Sequence, residues 1–149
     1  MVDEIGFKAP AYHKGETQRF QFKGEGTTIL AFFPGAFTGV CTEEMCEFRD
    51  QMSEFNDMDV EVIGISVDTP FALEEFADQE DLNFTLVSDT SKEISKQYDI
   101  KTEIPGLEYE ISTRATFIVQ DGEVVYSEVL DDPSNLPDFE KLKDELHSL

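Results

Sequence analysis

The chain has no tryptophan, two cysteines, two histidines and three arginines in 149 residues. Cations as a whole are scarce, with 11 lysines and arginines against 33 acidic residues and a formal net charge of -22. That is far beyond the magnitude of ~2 to 8 usual for a soluble small domain. A surface so negative excludes nucleic acid and anionic membrane as partners. The acids are scattered over every segment, with no block of five or more in a row. Such a spread fits a halophile's surface adapted to molar salt, where the screening length falls to ~3 Å and self-repulsion is mostly suppressed. No run of ~18 apolar residues is present, and MVDEIGFKAP at the start has no basic region leading into an apolar stretch. A soluble, cytoplasmic protein is expected. In that reducing compartment a cysteine pair is more often catalytic, redox-sensing or metal-binding than a permanent staple.

What is present is an ordinary core, since 40% of the residues are hydrophobic and 13 are phenylalanine. This length matches one compact domain spanning 1–149. Apolar β-rich runs alternate with amphipathic stretches. TTILAFFP (27–34) reads as a strand ended by Pro34, and Met45, Phe48, Met52 and Phe55 follow helical spacing over about 41–55. A buried strand follows at 59–68, and Pro70 opens a helix through about Gln79. A strand at 84–89, a helix at about 91–98 and a surface loop at 101–113 come next. Asp121-Gly122 joins two β-rich runs in a tight hairpin over 115–129, and 136–146 closes the chain as a helix. The order predicts an α/β fold, a central mixed sheet with helices on both faces, preceded by an extended amino-terminal stretch. That arrangement is thioredoxin-like.

Both thiols fall in FFPGAFTGVCTEEMC, residues 32–46, where a strand gives way to a helix. Cys41 is predicted to face free backbone amides and the positive end of the helix dipole, which favour an accessible thiolate. A thiol of pKa ~8.5 is ~3% ionised at pH 7, so full ionisation raises the nucleophile's concentration ~30-fold, or ~2 kcal/mol. Ionisation alone is therefore a small part of catalysis, and further donors must act in the transition state. Thr38, the amides of Gly39 and Val40, and one distant cation are the candidates. Arg19 lies in the amino-terminal stretch and Arg49 about two turns beyond the sulfur, whereas Arg114 opens a strand after a long loop. Arg114 is the best placed of the three. Glu43 and Glu44 would raise the pKa of Cys41 if they stood beside it, so at least one must turn away or pair with arginine.

Residues five apart on a regular helix differ by ~7.5 Å along the axis and ~140° around it, which sets their Cα atoms ~8.7 Å apart. A disulfide needs less than ~7 Å. Cys41 and Cys46 therefore cannot bond until the first turns unwind. Reaction in the folded form followed by local unfolding suits an oxidised sulfur captured by a second thiol, and a small buried hydrophobe is the structural alternative for Cys46.

These residues resemble the peroxiredoxin family. PGAFTGVC matches its pattern P-x-x-x-T-x-x-C through Pro34, Thr38 and Cys41, and STRATFIV supplies the downstream arginine at Arg114. The C-x4-C spacing is similar to the Q-type, or bacterioferritin-comigratory, branch, although FFPGAFTG is closer in wording to one-cysteine members. The resemblance implies a thiol peroxidase that needs no metal, haem or flavin cofactor. Cys41 would attack a hydroperoxide, Thr38 and Arg114 would hold its oxygens, Pro34 would shield the sulfur, and Cys46 would resolve the sulfenic acid. A thioredoxin-like dithiol reductant would restore both thiols, in a monomer or homodimer. Two rival readings are weaker. A copper or zinc carrier would have to rely on His13 and His147, which lie near the termini and read as surface residues. A dithiol oxidoreductase would need the absent C-x-x-C motif.

Overall fold

The computed structural model describes residues 4–132 and 134–149. The extended amino-terminal stretch is a complete hairpin, β1 (Phe7–His13) against β2 (Glu16–Phe22). Lys14 and Gly15 turn it with φ of 50° and 80°, the left-handed pair that suits a two-residue hairpin. Strand β3 (Thr27–Phe32) stops two residues short of Pro34. The helix expected over 41–55 is two helices, α1 (Gly39–Asp50) and α2 (Met52–Asp57). Between them Gln51 leaves helical geometry, and its amide is shared between the carbonyls of Glu47 and Phe48. Met52 and Phe55 remain buried, so the apolar spacing survived the break and gave no sign of it.

Strand β4 (Val60–Ser66) leads to α3 (Pro70–Glu80), where Pro70 takes the first turn and the Thr69 hydroxyl accepts from the Ala72 amide at 3.2 Å. Strand β5 (Thr85–Ser88) is followed by α4, which is shorter than expected at Glu93–Gln97. The segment expected as a loop over 101–113 forms a second small sheet, β6 (Lys101–Ile104) against β7 (Tyr109–Ser112). Most of its residues stay exposed, so no burial pattern marked it in the sequence. The hairpin β8 (Ala115–Gln120) and β9 (Glu123–Val129) turns at Asp121-Gly122 as expected. Helix α5 (Phe139–His147) starts later than Leu136, with the Asp138 carboxylate accepting from the Lys141 amide at 3.0 Å.

The main sheet runs β2-β1-β5-β4-β3-β8-β9. Strands β3, β4 and β5 are parallel and the remaining pairs antiparallel, which is the mixed sheet expected. Along β3 the side chains alternate between two cores. Ile29 and Ala31 pack with Met45, Phe48, Phe55, Leu73, Phe76 and Leu142 under α1, α2, α3 and α5. Leu30 and Phe32 pack on the other face with Ile94 and Tyr98, at and just beyond α4. Each large apolar side chain so covered contributes roughly 1.5–3 kcal/mol. No helix among the described residues is long and apolar enough to cross a membrane.

Helix α1 sits close on the sheet because β4 carries a glycine beneath it. A Cβ built on Gly64 would lie 2.7 Å from Leu86 Cδ2 and 3.2 Å from Met45 Sδ. Gly64→Ala is therefore expected to lower stability by about 1–3 kcal/mol through overpacking, read in a urea titration; an unchanged midpoint would show that α1 yields freely.

Candidate active site

The carboxyl ends of parallel strands are where open α/β sheets gather ligands. Here β3 and β4 end together, and the chain crosses from β3 to α1 above that edge. Phe33 continues the pairing briefly, its amide donating to the Ile65 carbonyl at 3.0 Å. Half-buried Pro34 then turns the chain away, and the Ala36 amide donates to Asp68 Oδ2 at 2.7 Å. Ser66 donates to the same oxygen at 2.7 Å. Asp68 is a positioning residue that the sequence reading missed, although an acid just past a buried strand at the edge of a parallel sheet was an available signal. Phe37, next in the loop, has φ of 67° and lays its ring against Phe76 at 5.3 Å.

Thr38 is the N-cap residue of α1 by backbone, yet its hydroxyl does not cap the helix. It donates instead to the Gly35 carbonyl at 2.9 Å. The helical ladder opens with the Thr42 amide bonding the Thr38 carbonyl at 2.9 Å, so the amides of Gly39, Val40 and Cys41 precede it. Cys41 thus sits in the first turn, at the positive end of a twelve-residue helix. Its placement at the helix mouth is as expected. Its exposure is not: the side chain is 1% exposed and packs in the core cluster with Phe33 and Met45. The apolar spacing that brings Met45 and Phe48 onto the sheet draws the same face of the first turn inward.

Arg114 reaches this buried sulfur through strand register. Antiparallel pairing sets Phe32 opposite Ala115, so the residue before β8 lies beside the residue after β3. The guanidinium is 2% exposed and hydrogen-bonds both Cys41 and Glu44. Burial works against its charge, but Glu44 and Cys41 outweigh that and hold its pKa above the ordinary value. The two adjacent glutamates take different places. Glu43 points to solvent, while Glu44 is buried and ion-paired with Arg114. Burial pushes the Glu44 carboxyl up to about 7, with Arg114 pulling it down and Glu128 pushing it further up.

Cys46 lies on the same unbroken helix as Cys41, and both are free thiols. Its sulfur donates to Glu80 Oε1 at 3.5 Å, and Arg49 beside it donates to the Glu80 carbonyl at the end of α3. Burial, then the Glu80 carboxylate, push the Cys46 thiol above its ordinary pKa. It borders a cleft of about 400 Å³ whose other walls include Glu47, Leu136 and Phe139. A larger open cleft of about 770 Å³ includes His13, Phe20 and Thr85 and holds neither thiol. His13 is half-buried rather than on the surface, bonded to Thr85 Oγ1 at 2.5 Å and set against Phe20. Among the described residues no three His, Cys, Asp or Glu side chains are placed to hold a metal. The structure therefore brings Cys41 and Arg114 into contact, sets Thr38 at the N-cap, starts the loop at Pro34 and keeps Cys46 on a different face of α1.

Residues 4–127 match the AhpC/TSA family. Peroxiredoxin Bcp of Escherichia coli is 34% identical over 129 residues, covering 85% of this chain and 81% of that protein. Alkyl hydroperoxide reductase C of Buchnera aphidicola is 31% identical, covering 85% of this chain and 67% of that protein. The crystal structure of peroxidoxin BcpB from Mycobacterium tuberculosis superposes with a TM-score of 0.82 at 25% identity, covering 99% of this chain and 96% of that one.

Proposed function

The chain belongs to the AhpC/TSA family and is a peroxidase of the oxidoreductase class, and from that premise we propose that Cys41 is its peroxide-attacking sulfur. The observation that carries this reading is the Arg114 guanidinium bonded to the sulfur at the mouth of α1. A helix N-terminus and a full cation together favour the ionised sulfur, and both remain in place as charge moves.

The Cys41 thiolate attacks the terminal oxygen of hydrogen peroxide or an organic hydroperoxide. An S–O bond forms and the O–O bond breaks, leaving Cys41 sulfenic acid and, after protonation, water or an alcohol. Thr38 spends its hydroxyl proton on Gly35, so its lone pairs are left to accept from the hydroperoxide O–H. Arg114 and the amides ahead of the helical ladder stabilise the charge that develops on the oxygens. Pro34, at the start of the loop, keeps bulk water off the sulfur. Enclosure of Cys41 means the substrate must enter through a narrow opening or a brief movement of the loop over 34–38.

Cys46 then resolves the sulfenic acid, a disulfide forming as water leaves. On an intact α1 the two Cα atoms are ~8.7 Å apart, beyond the ~7 Å limit, so the first turns must unwind first. Unwinding also takes Cys46 out of the surroundings that keep it protonated. A thioredoxin-like dithiol reductant then returns both thiols, becoming a disulfide itself. Cys46→Ser should consume one equivalent of hydrogen peroxide and then stall with thioredoxin, and mass spectrometry should find no crosslink between 41 and 46. Undiminished cycling by that variant would refute Cys46 as the resolver.

A further inference from the structure

We propose that Cys41 and Glu44 share a single proton across the Arg114 guanidinium, so that Glu44 carries it while Cys41 is a thiolate and gives it up when Cys41 is oxidised. This rests on the reading of Cys41 as the attacking sulfur and adds a second titrating group to it.

The geometry sets one cation against two acids. Cys41, Glu44 and Arg114 are 1%, 0% and 2% exposed, and Arg114 bonds both acidic groups. With both acids ionised, the cluster would hold an uncompensated negative charge away from water, at a cost of several kcal/mol. Like charges that share a buried site do not both ionise over the same pH range, and their protons belong to the pair. Among the described residues, Arg114 is the one cation set against Glu44. Glu44 is faced by Arg114, just ahead of β8, and by the charge of Glu128 from β9, which opposes ionisation, while Cys41 meets the same guanidinium. Burial, with Glu128 adding to it, pushes the Glu44 carboxyl up to about 7 and so favours its protonated form.

The carboxyl's two oxygens differ accordingly. Oε1 meets Arg114, whereas Oε2 is buried with no hydrogen-bonding partner among the described residues. An ionised oxygen in that state is costly, and a protonated one removes the charge. Thr116 in β8, two residues beyond Arg114, also buries its hydroxyl with no partner among the described residues.

Shared ownership closes the proton balance of the first step. A thiolate, a protonated Glu44 and hydrogen peroxide give a sulfenic acid, an ionised Glu44 and water. Three hydrogens and one negative charge stand on each side, so no proton is drawn from solvent. After the step Arg114 keeps one anionic partner, now Glu44 in place of the sulfur. When a dithiol reductant restores the Cys41 thiolate, Glu44 takes its proton back.

The test uses the full-length Cys46→Ser chain, which stops at the first oxidised sulfur, with hydrogen peroxide as the probe. Infrared difference spectra of oxidised minus reduced protein should show loss of a buried carboxylic acid C=O band, and a pH-indicator dye should report almost no proton uptake near pH 7. Adding Glu44→Gln should abolish the band and raise uptake to about one proton per oxidised sulfur. Should the Gln variant fail to fold, Glu44→Asp should move the band instead. Mass spectrometry counts the oxygen added to Cys41 in each sample. Cys41 oxidised with no loss of an acid band, or a band indifferent to substitution of Glu44, overturns the shared proton and leaves the peroxidase reading standing. A Cys41 that gains no oxygen overturns both.

Discussion

Cys41→Ser should leave added hydrogen peroxide untouched. The sulfur meets the Arg114 guanidinium and the first-turn amides of α1 on one side and apolar Phe33 and Met45 on the other. A serine hydroxyl at that position stays protonated at neutral pH and is a weak nucleophile. The rate should fall by at least about 10^6-fold, the low end of enzymatic acceleration, which places it at background. Circular dichroism should show the fold retained, because the exchange is small and the hydroxyl can bond Arg114. Measurable peroxide consumption by the serine chain would move the chemistry to another residue and remove the basis of the mechanism.

Arg114→Ala is expected to have two large effects that respond differently to rescue. The first is catalytic. Loss of a charged donor aimed at the reacting oxygens costs about 10²–10³-fold in rate. The second concerns stability and depends on pH. Without the guanidinium, Glu44 loses the group that lowers its pKa, and the folded-state value rises further above that of the unfolded chain. A carboxyl shifted upward contributes stability that is fully present below its unfolded pKa and is lost as pH rises. The variant should therefore melt near the parent at pH 5 and below it at pH 8, where the parent's carboxyl, at about 7, is mostly ionised beside Arg114 while the variant's is held protonated; that difference amounts to roughly 1–1.5 kcal/mol at pH 8 and widens as pH rises further. Glu44→Gln on top of Arg114→Ala should flatten that pH dependence without restoring peroxide reduction. Melting curves at the two pH values and single-turnover kinetics separate the effects. A rate within a few-fold of the parent would take Arg114 out of the transition state.

On the proposed mechanism, enclosure of Cys41 joins catalysis to the stability of one helix end. The folded state buries the thiol beside Arg114, and the proposed capture of the oxidised sulfur by Cys46 needs the turns from Gly39 onward to come apart. Little holds that end. Thr38 makes no side-chain cap, and among the described residues no acidic side chain lies in the first turn of α1 to complement the helix dipole. The buried side chains Cys41, Glu44, Met45 and Phe48 carry the attachment instead.

Local spacing was enough to place much of this molecule. Pro70 opening a helix and Asp121-Gly122 turning a hairpin follow from chemistry within a few residues, and the structure agrees with both; it also ends β3 just before Pro34 and carries both thiols on one helix. The break at Gln51 and the small β6 and β7 sheet escaped notice for a related reason. At the first, apolar periodicity continued through the interruption, and at the second, exposed strands carry no such periodicity. Tertiary structure alone decided the rest. Arg114 meets Cys41 because β3 and β8 pair in one register, and Asp68 grips Ala36 because β3 and β4 end side by side. Which of two adjacent glutamates is buried, and that the sulfur is enclosed, depend on how α1 rolls onto the sheet over Gly64. Those outcomes come from contacts between segments far apart in the chain, and no local pattern of residue types records them.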